Sequence, residues 1–338
     1  MTRDECIGVI GAGNWGTTLA KVLGDNDKRT LLWARRDDLC REINETRQNS
    51  KYLPGFSLGP SVEATSDLER ICKSTSLLIA VVPSHTMRET ARELGNHVNG
   101  EHVIVHATKG IEQGTFKRMS EVLREETCVR KIGVISGPNL AKELAARQPA
   151  GTLVASRYDE VFERAHAALH NDYFRVYQGR DVIGAEIGGG FKNIIALAAG
   201  VAAGLGLGDN TKALLLTRGL SEMARFGVAM GAEVMTFGGM AGMGDLIATC
   251  SSPLSRNHQV GARLARGEKL EDIQRDMAMV AEGVKMAKAA NDFALRKRLD
   301  LPIVRAVHNL LYGHHEVPLL LKELMNIPAG PEFAALTV

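Results

Sequence analysis

The stretch CIGVIGAGNWGTTLAKVL, residues 6–23, places an apolar run, a glycine turn and an amphipathic segment in direct succession. Its centre, Gly11-Ala12-Gly13-Asn14-Trp15-Gly16, fits the pattern G-x-G-x-x-G. Each glycine has a separate task in such a turn. Gly11 permits the tight bend, Gly13 lets backbone approach a pyrophosphate, and Gly16 lets the following helix pack on the sheet. The helix start then offers unpaired N–H groups and partial positive charge to phosphates. Glycine turns between strands and helices are common, so the pattern alone is weak evidence. The strand before it and the helix after it are what predict a dinucleotide site.

Working outward, further apolar runs occur at 30–34, 77–82, 102–107, 132–135, 153–155 and 174–177. Most are continuous rather than alternating, as strands covered on both faces are. Helical patterns at 88–94, 115–125 and 159–170 lie between them, so the first half reads as βαβ units around a mostly parallel sheet. From about Asp181 no strand is convincing. Helical patterns run over 182–203, 212–230, 256–265, 281–295 and 302–311, with Pro302 suited to a first turn. The expectation is an α/β domain over 1–180 and an all-α domain over 181–338. Glycine clusters at 188–190, 204–208 and 238–244 suggest turns and close backbone approach rather than disorder.

Two domains also suit 338 residues at roughly 150 per domain. The formal charge of +2 gives no electrostatic case for nucleic acid or an anionic membrane. With 5% aromatics, a surface of stacked bases is equally disfavoured. A phosphorylated small molecule is still compatible, because it needs only a few local cations. Cys6, Cys40, Cys72, Cys128 and Cys250 are scattered without a C-x-x-C pair, which predicts reduced thiols and a cytoplasmic chain. Residues 1–5 lack a signal-peptide pattern, and the charge-free run 194–208 falls short of the ~18 residues of a membrane span. No His, Asp, Glu or Cys spacing, His314-His315 included, predicts a metal site.

The end of the second strand bears on the choice of dinucleotide. An acidic residue there serves the ribose hydroxyls of NAD, whereas arginine accommodates the 2′-phosphate of NADP. Here Arg35 and Arg36 follow Ala34, and Asp37 and Asp38 follow them. The pair predicts NADP(H), with NAD(H) used as well; the plainer reading is two surface arginines paired with those aspartates.

Three segments carry residues unusual for their setting. Lys109 follows a predicted parallel strand, at the end where ligands of open sheets sit. Lys192 is the only charge between Glu186 and Asp209, so it either snorkels from a helix or sits in a dry pocket. In a pocket, desolvation lowers its pKa toward neutrality and makes it a usable acid–base group. Asp245 and Thr249 share one helix face, and in Ser255-Arg256-Asn257 the Arg-Asn pair can hold a phosphate, the plainer reading being helix capping and surface charge.

Taken in order, GAGNWGTTLA, NSKYLPG, VVPSH, ATKGIE, SGPNLAKELA, GGGFKNIIALAAG, GLGLGDNTKALLLTRG and GMGDLIATCSSPLSRN closely resemble the bacterial NAD(P)-dependent glycerol-3-phosphate dehydrogenases, over about residues 6–312. The resemblance implies reversible reduction of dihydroxyacetone phosphate to sn-glycerol 3-phosphate, the entry to phospholipid synthesis. It implies a Rossmann domain followed by a helical domain like that of 6-phosphogluconate dehydrogenase. Lys192 then matches the catalytic lysine, with Asp245 to tune it and Lys109 to polarise the same region. Lys109, Gly137, Asn139, Lys192, Asn193, Asp245, Thr249, Ser255, Arg256 and Asn257 match positions around the substrate. Gly11, Gly13, Asn14, Trp15, Gly16, Arg35, Arg36, Lys109, Ala141, Arg256, Val280 and Glu282 match positions around the cofactor. Two departures stand out: Gly190-Phe191 stands where Ala or Thr followed by an aliphatic residue is usual, and Asn139 stands where Ser or Thr is common. A ketopantoate-type reductase and a non-catalytic NADPH sensor are the alternatives; a homodimer is left open.

Overall fold

The computed structural model describes residues 6–253, 255–277, 281–313 and 316–326. The chain divides into two compact units. The first comprises residues through Thr108 with Lys117–Val182, the second Lys109–Phe116 with residues from Ile183 on.

The strands of the first unit are β1 (Ile7–Ile10), β2 (Thr30–Trp33), β3 (Val62–Thr65), β4 (Leu77–Ala80), β5 (Val103–His106), β6 (Lys131–Ser136), β7 (Ala150–Ser156) and β8 (Phe174–Gly179). They form one sheet of order β3-β2-β1-β4-β5-β6-β7-β8. Every neighbouring pair is parallel except β6 with β7. The strand order reverses beside β1, which makes the end of that strand the switch point of a Rossmann sheet. The continuous apolar runs have a direct cause. Ile7, Val9, Leu77, Ile79, Val103 and Val105 enter one core, while Ile10, Leu78, Ala80 and Ile104 enter another on the opposite face.

Helices α1 (Asn14–Asp25), α2 (Asp37–Thr46), α3 (Leu68–Ser74), α4 (Met87–Gly95), α5 (Met119–Glu126), α6 (Ala141–Ala145) and α7 (Asp159–Leu169) complete this unit. Several depart from the sequence reading. The strand β3 escaped it because four residues interrupted by Glu63 carry too little pattern. The helix expected over 115–125 starts only at Met119, because Phe116 has φ +58, a left-handed value that no helix continues through.

Beyond the loop Lys109–Phe116, the elements of the second unit among its described residues are helices: α8 (Val182–Gly204), α9 (Asp209–Ala229), α10 (Asp245–Ser251), α11 (Arg256–Ala265), α12 (Leu270–Asp276), α13 (Glu282–Lys297), α14 (Pro302–Tyr312) and α15 (Val317–Met325). A 3₁₀ turn at Val234–Gly238 and a π-helical turn at Met240–Gly244 lead into α10. Helices α10, α12 and α15 span 7, 7 and 9 residues, and the sequence reading gave none of them bounds. Although α8 has the length and hydropathy of a membrane span, 83% of its apolar window is buried. It is the core helix of its unit: Phe191 meets Phe226, and Phe226 meets Phe293, at ring separations of 5.3 and 5.0 Å.

Two close approaches on α8 position the chemistry. A Cβ on Gly188 would lie 2.3 Å from the carbonyl oxygen of Ala241, so glycine lets the π-helical turn seat directly on α8. Lys192 lies one turn beyond Gly188, and Asp245 one turn beyond Ala241, so this contact sets their register. At Gly190 a Cβ would stand 3.1 Å from the Gly110 nitrogen, which brings the residue after Lys109 against the same helix.

Candidate active site

In the first unit, Gly11 ends β1 with φ +120, and its N–H donates to the Trp33 carbonyl at 3.1 Å. A Cβ on Gly16 would lie 1.8 Å from the Gly11 oxygen, so only glycine lets α1 start this close to the strand. Gly13 caps α1 without a side-chain partner, and nothing stands within 4 Å of where its Cβ would be. The opening of α1 thus combines free space with N–H groups that no side chain caps. The Asn14 Oδ1 is buried with no hydrogen-bond partner among the described residues, as at a place that a ligand or water completes. These features fit a dinucleotide pyrophosphate.

Asn49 carries a role the sequence reading missed. Fully buried, its amide donates to the Ala12 carbonyl at 3.0 Å and to the Thr17 hydroxyl at 2.8 Å, pinning the glycine turn to α1. The motif NSKYLPG held the residue, but a polar side chain in a loop gives no sign of what it will grip.

The other predicted positions of this unit lie as follows. Arg35 is exposed, and Arg36 forks onto Asp38, with 2.9 Å from Nε to Oδ1. Trp15 is half-buried and packs on the sheet core. Ala141 opens α6, and its carbonyl lies 3.5 Å from the Thr18 hydroxyl of α1. Gly137 has φ +153 on the loop after β6. Asn139 on the same loop spends its amide on β7, donating to the Gly151 carbonyl at 3.1 Å and accepting from the Thr152 hydroxyl at 2.9 Å.

The second unit gathers the charged residues singled out from sequence. Lys192 is buried, 5% exposed, and its ammonium donates to Asp245 Oδ1 and, at 2.6 Å, to the Thr249 hydroxyl. Lys109 donates to the other carboxylate oxygen, Oδ2, at 2.8 Å and is itself half-buried. One carboxylate, 1% exposed, therefore bridges two lysines. Burial pushes Lys192 down to about 7 from the ordinary lysine value, with the Lys109 cation adding to the fall and Asp245 opposing it. The Lys192 side chain does not snorkel to solvent: it is buried and held by Asp245 and Thr249.

Beside this cluster, Asn193 donates to the Gly189 carbonyl at 3.3 Å and accepts from Asn257 at 2.9 Å. The Asn257 oxygen takes the Gly283 N–H at 2.9 Å, so the two amides join α8, α11 and the start of α13. Ser255 caps α11, with its hydroxyl 3.4 Å from the His258 N–H. Arg256 is the first residue of α11 and keeps an exposed face, yet the surrounding protein desolvates its guanidinium and lowers its pKa, opposed by the charge of Glu282, the half-buried first residue of α13. Val280 lies outside the described residues, as does the His314-His315 pair. Among the described residues, no group of three or more His, Cys, Asp or Glu is placed to hold a metal ion.

Comparison with known proteins gives a consistent result over nearly the whole chain. Residues 6–162 match the family model described as NAD-dependent glycerol-3-phosphate dehydrogenase N-terminus, and residues 181–322 the corresponding C-terminus. The chain is 45% identical over 334 residues to a glycerol-3-phosphate dehydrogenase [NAD(P)+] of Streptomyces griseus, covering 98% of this chain and 99% of that one. Its counterpart in Bacillus thuringiensis is 44% identical, with 92% of each chain covered. Among solved structures, glycerol-3-phosphate dehydrogenase from Coxiella burnetii superposes with a TM-score of 0.92 at 32% identity, covering 96% of this chain and all of that one.

Proposed function

The chain belongs to the NAD-dependent glycerol-3-phosphate dehydrogenase family, and from that premise we propose which of its residues perform the reaction. It is an oxidoreductase that interconverts dihydroxyacetone phosphate and sn-glycerol 3-phosphate with NAD(P)(H). Lys192 is its acid–base group. The observation that carries this reading is the buried ammonium of Lys192, held between Asp245 and Thr249.

Reduction of a ketone builds negative charge on its oxygen, and a proton must reach that oxygen from a donor able to release it near neutrality. When bound, NAD(P)H supplies the hydride. Lys192 supplies the proton, and in reverse its neutral amine takes the proton from the alcohol. Asp245 and Thr249 aim the amine, since a buried lysine with two fixed partners keeps one rotamer. Lys109, on the far oxygen of Asp245, adds a second positive charge where the oxyanion develops.

For the substrate phosphate, Arg256 is the cation, because a guanidinium stays charged and forks onto phosphate oxygens. Asn257 has its amide engaged by Asn193 and Gly283, so we assign it to fixing Asn193. Gly11, Gly13, Asn14, Trp15 and Gly16 would hold the cofactor pyrophosphate, with Arg35 and Arg36 near a 2′-phosphate. The product would serve glycerophospholipid synthesis in the cytoplasm. Five unpaired cysteines, four of them buried, support a reducing compartment, and the buried α8 supports a chain that does not enter a membrane.

NADPH oxidation with dihydroxyacetone phosphate, beside dihydroxyacetone and ketopantoate, tests the reading. Turnover should be far faster with the phosphorylated ketone than with either of the others. Preference for ketopantoate, or NADPH binding without turnover of any ketone, would support the reductase or sensor alternative instead.

A further inference from the structure

At the end of β2 a carboxylate already holds one of the two arginines that a 2′-phosphate would use. Arg36 reaches Asp38 through both Nε, at 2.9 Å, and Nη2, and each side chain is more than half exposed. Asp37 is engaged elsewhere, accepting from the Ser66 hydroxyl, and Arg35 stands exposed one residue before the pair. Position gives the pair its interest. Strands β1 and β2 are adjacent and parallel, Gly11 is hydrogen-bonded to Trp33, and the residues just past β2 meet the adenosine ribose in this fold.

We propose that Asp38 is a specificity-determining residue: its carboxylate competes with the 2′-phosphate of NADP for the Arg36 guanidinium, and so restrains the preference for NADP over NAD. The proposal rests on the reading of residues 11–16 as the dinucleotide site. Asp38 is suited to the task because it is fixed by secondary structure. It lies in the first turn of α2, where the helix start favours an anion, and Arg36 is the N-cap of the same helix. The Arg36 guanidinium beside it, with a backbone N–H, holds its carboxyl down at about 2, so Asp38 is charged at every working pH. A guanidinium edge that grips one carboxylate cannot at the same time grip a phosphate. Only the remaining edge of Arg36, and Arg35, are left for NADP. An exposed pair is a weak competitor, so the restraint is modest, about two- to five-fold in relative affinity.

Calorimetric titration of the full chain with 2′,5′-ADP and with 5′-AMP separates this from catalysis. Asp38→Asn, or Asp38→Ser as a second variant, should tighten 2′,5′-ADP relative to 5′-AMP by about two- to five-fold. In an Arg36→Ala background the same substitution should leave the ratio where Arg36→Ala alone puts it. An unchanged ratio in Asp38→Asn would overturn the proposal. So would an equal gain without Arg36, because the carboxylate would then act by simple repulsion of the phosphate. Failure of the wild-type chain to bind either nucleotide would overturn the reading of the glycine turn, and the proposal with it.

Discussion

Asp245 and Thr249 stand one helical turn apart on α10, 3.3 Å from hydroxyl to carboxylate, and both close on the ammonium of Lys192. Spacing of four puts the two side chains on one helix face, and the seating of the preceding turn on Gly188 aims that face at α8. Buried so deeply, the lysine has little water to solvate its charge. Its partners therefore decide both where the amine points and how readily it gives up a proton.

Lys192→Ala should lower kcat by about 10²- to 10⁴-fold, the usual contribution of a positioned acid–base group. The glycine turn is untouched by the change, so the Kd for NADPH, read by fluorescence titration, should stay within about two-fold. Retention of more than about a tenth of kcat would remove Lys192 from the proton transfer.

The pH profile carries a sign for each direction. Ketone reduction needs the ammonium, so its kcat should hold below about 7 and fall as pH rises through it. Alcohol oxidation needs the amine and should rise over the same interval. Asp245 favours the charged form and Lys109 disfavours it. In Asp245→Asn the reduction limb should therefore move to lower pH, and in Lys109→Met to higher pH. Limbs that move together would show that something other than these two charges sets the titration.

Much of this cluster was legible before the fold was known, for a physical reason. A lone charge in an apolar helix and an i, i+4 polar pair are local signals, and Lys192, Asp245 and Thr249 each carried one. What joins them is not local. The cluster with Gly188 and Gly190 suggested close backbone approach but not to what, because the carbonyl of Ala241 and the nitrogen of Gly110 that demand them are distant in sequence. Asn49 stayed hidden for the same reason, since its two acceptors lie 37 and 32 residues away. The choice between paired and available arginines at the end of β2 turned on rotamers, which no sequence pattern reveals: Arg36 forks onto Asp38, while Arg35 stays exposed.

Gly188 offers a test of the packing itself. A methyl there would meet the Ala241 carbonyl, oxygen at 2.3 Å and carbon at 2.9 Å, and backbone cannot swing aside as a side chain can. Gly188→Ala should cost about 1–3 kcal/mol in urea unfolding and lower kcat as Asp245 shifts from Lys192. Gly100→Ala, with nothing within 4 Å of its Cβ, serves as the control and should unfold like the wild type. If both variants unfolded alike, the seating of the 240–244 turn on α8 would not be the constraint inferred.

Arg256 separates phosphate binding from chemistry. It opens α11 behind the Ser255 cap, exposed, while its neighbour Asn257 is buried and committed to Asn193 and Gly283. Of the two, we propose the arginine as the side chain that meets the phosphate, because it carries the charge. A charged hydrogen bond contributes about 1.5–3 kcal/mol, or on the order of 10- to 150-fold in rate. Arg256→Ala should lower kcat/KM for dihydroxyacetone phosphate by that factor and leave the much slower reduction of dihydroxyacetone nearly unchanged. Saturating NADPH is required, because Arg256 also matches a cofactor position. Arg256→Lys should recover only part of the loss, since an ammonium keeps the charge and lacks the planar fork. Equal losses for the two ketones would remove Arg256 from the phosphate, and the anchor would have to be sought among the lysines around Asp245.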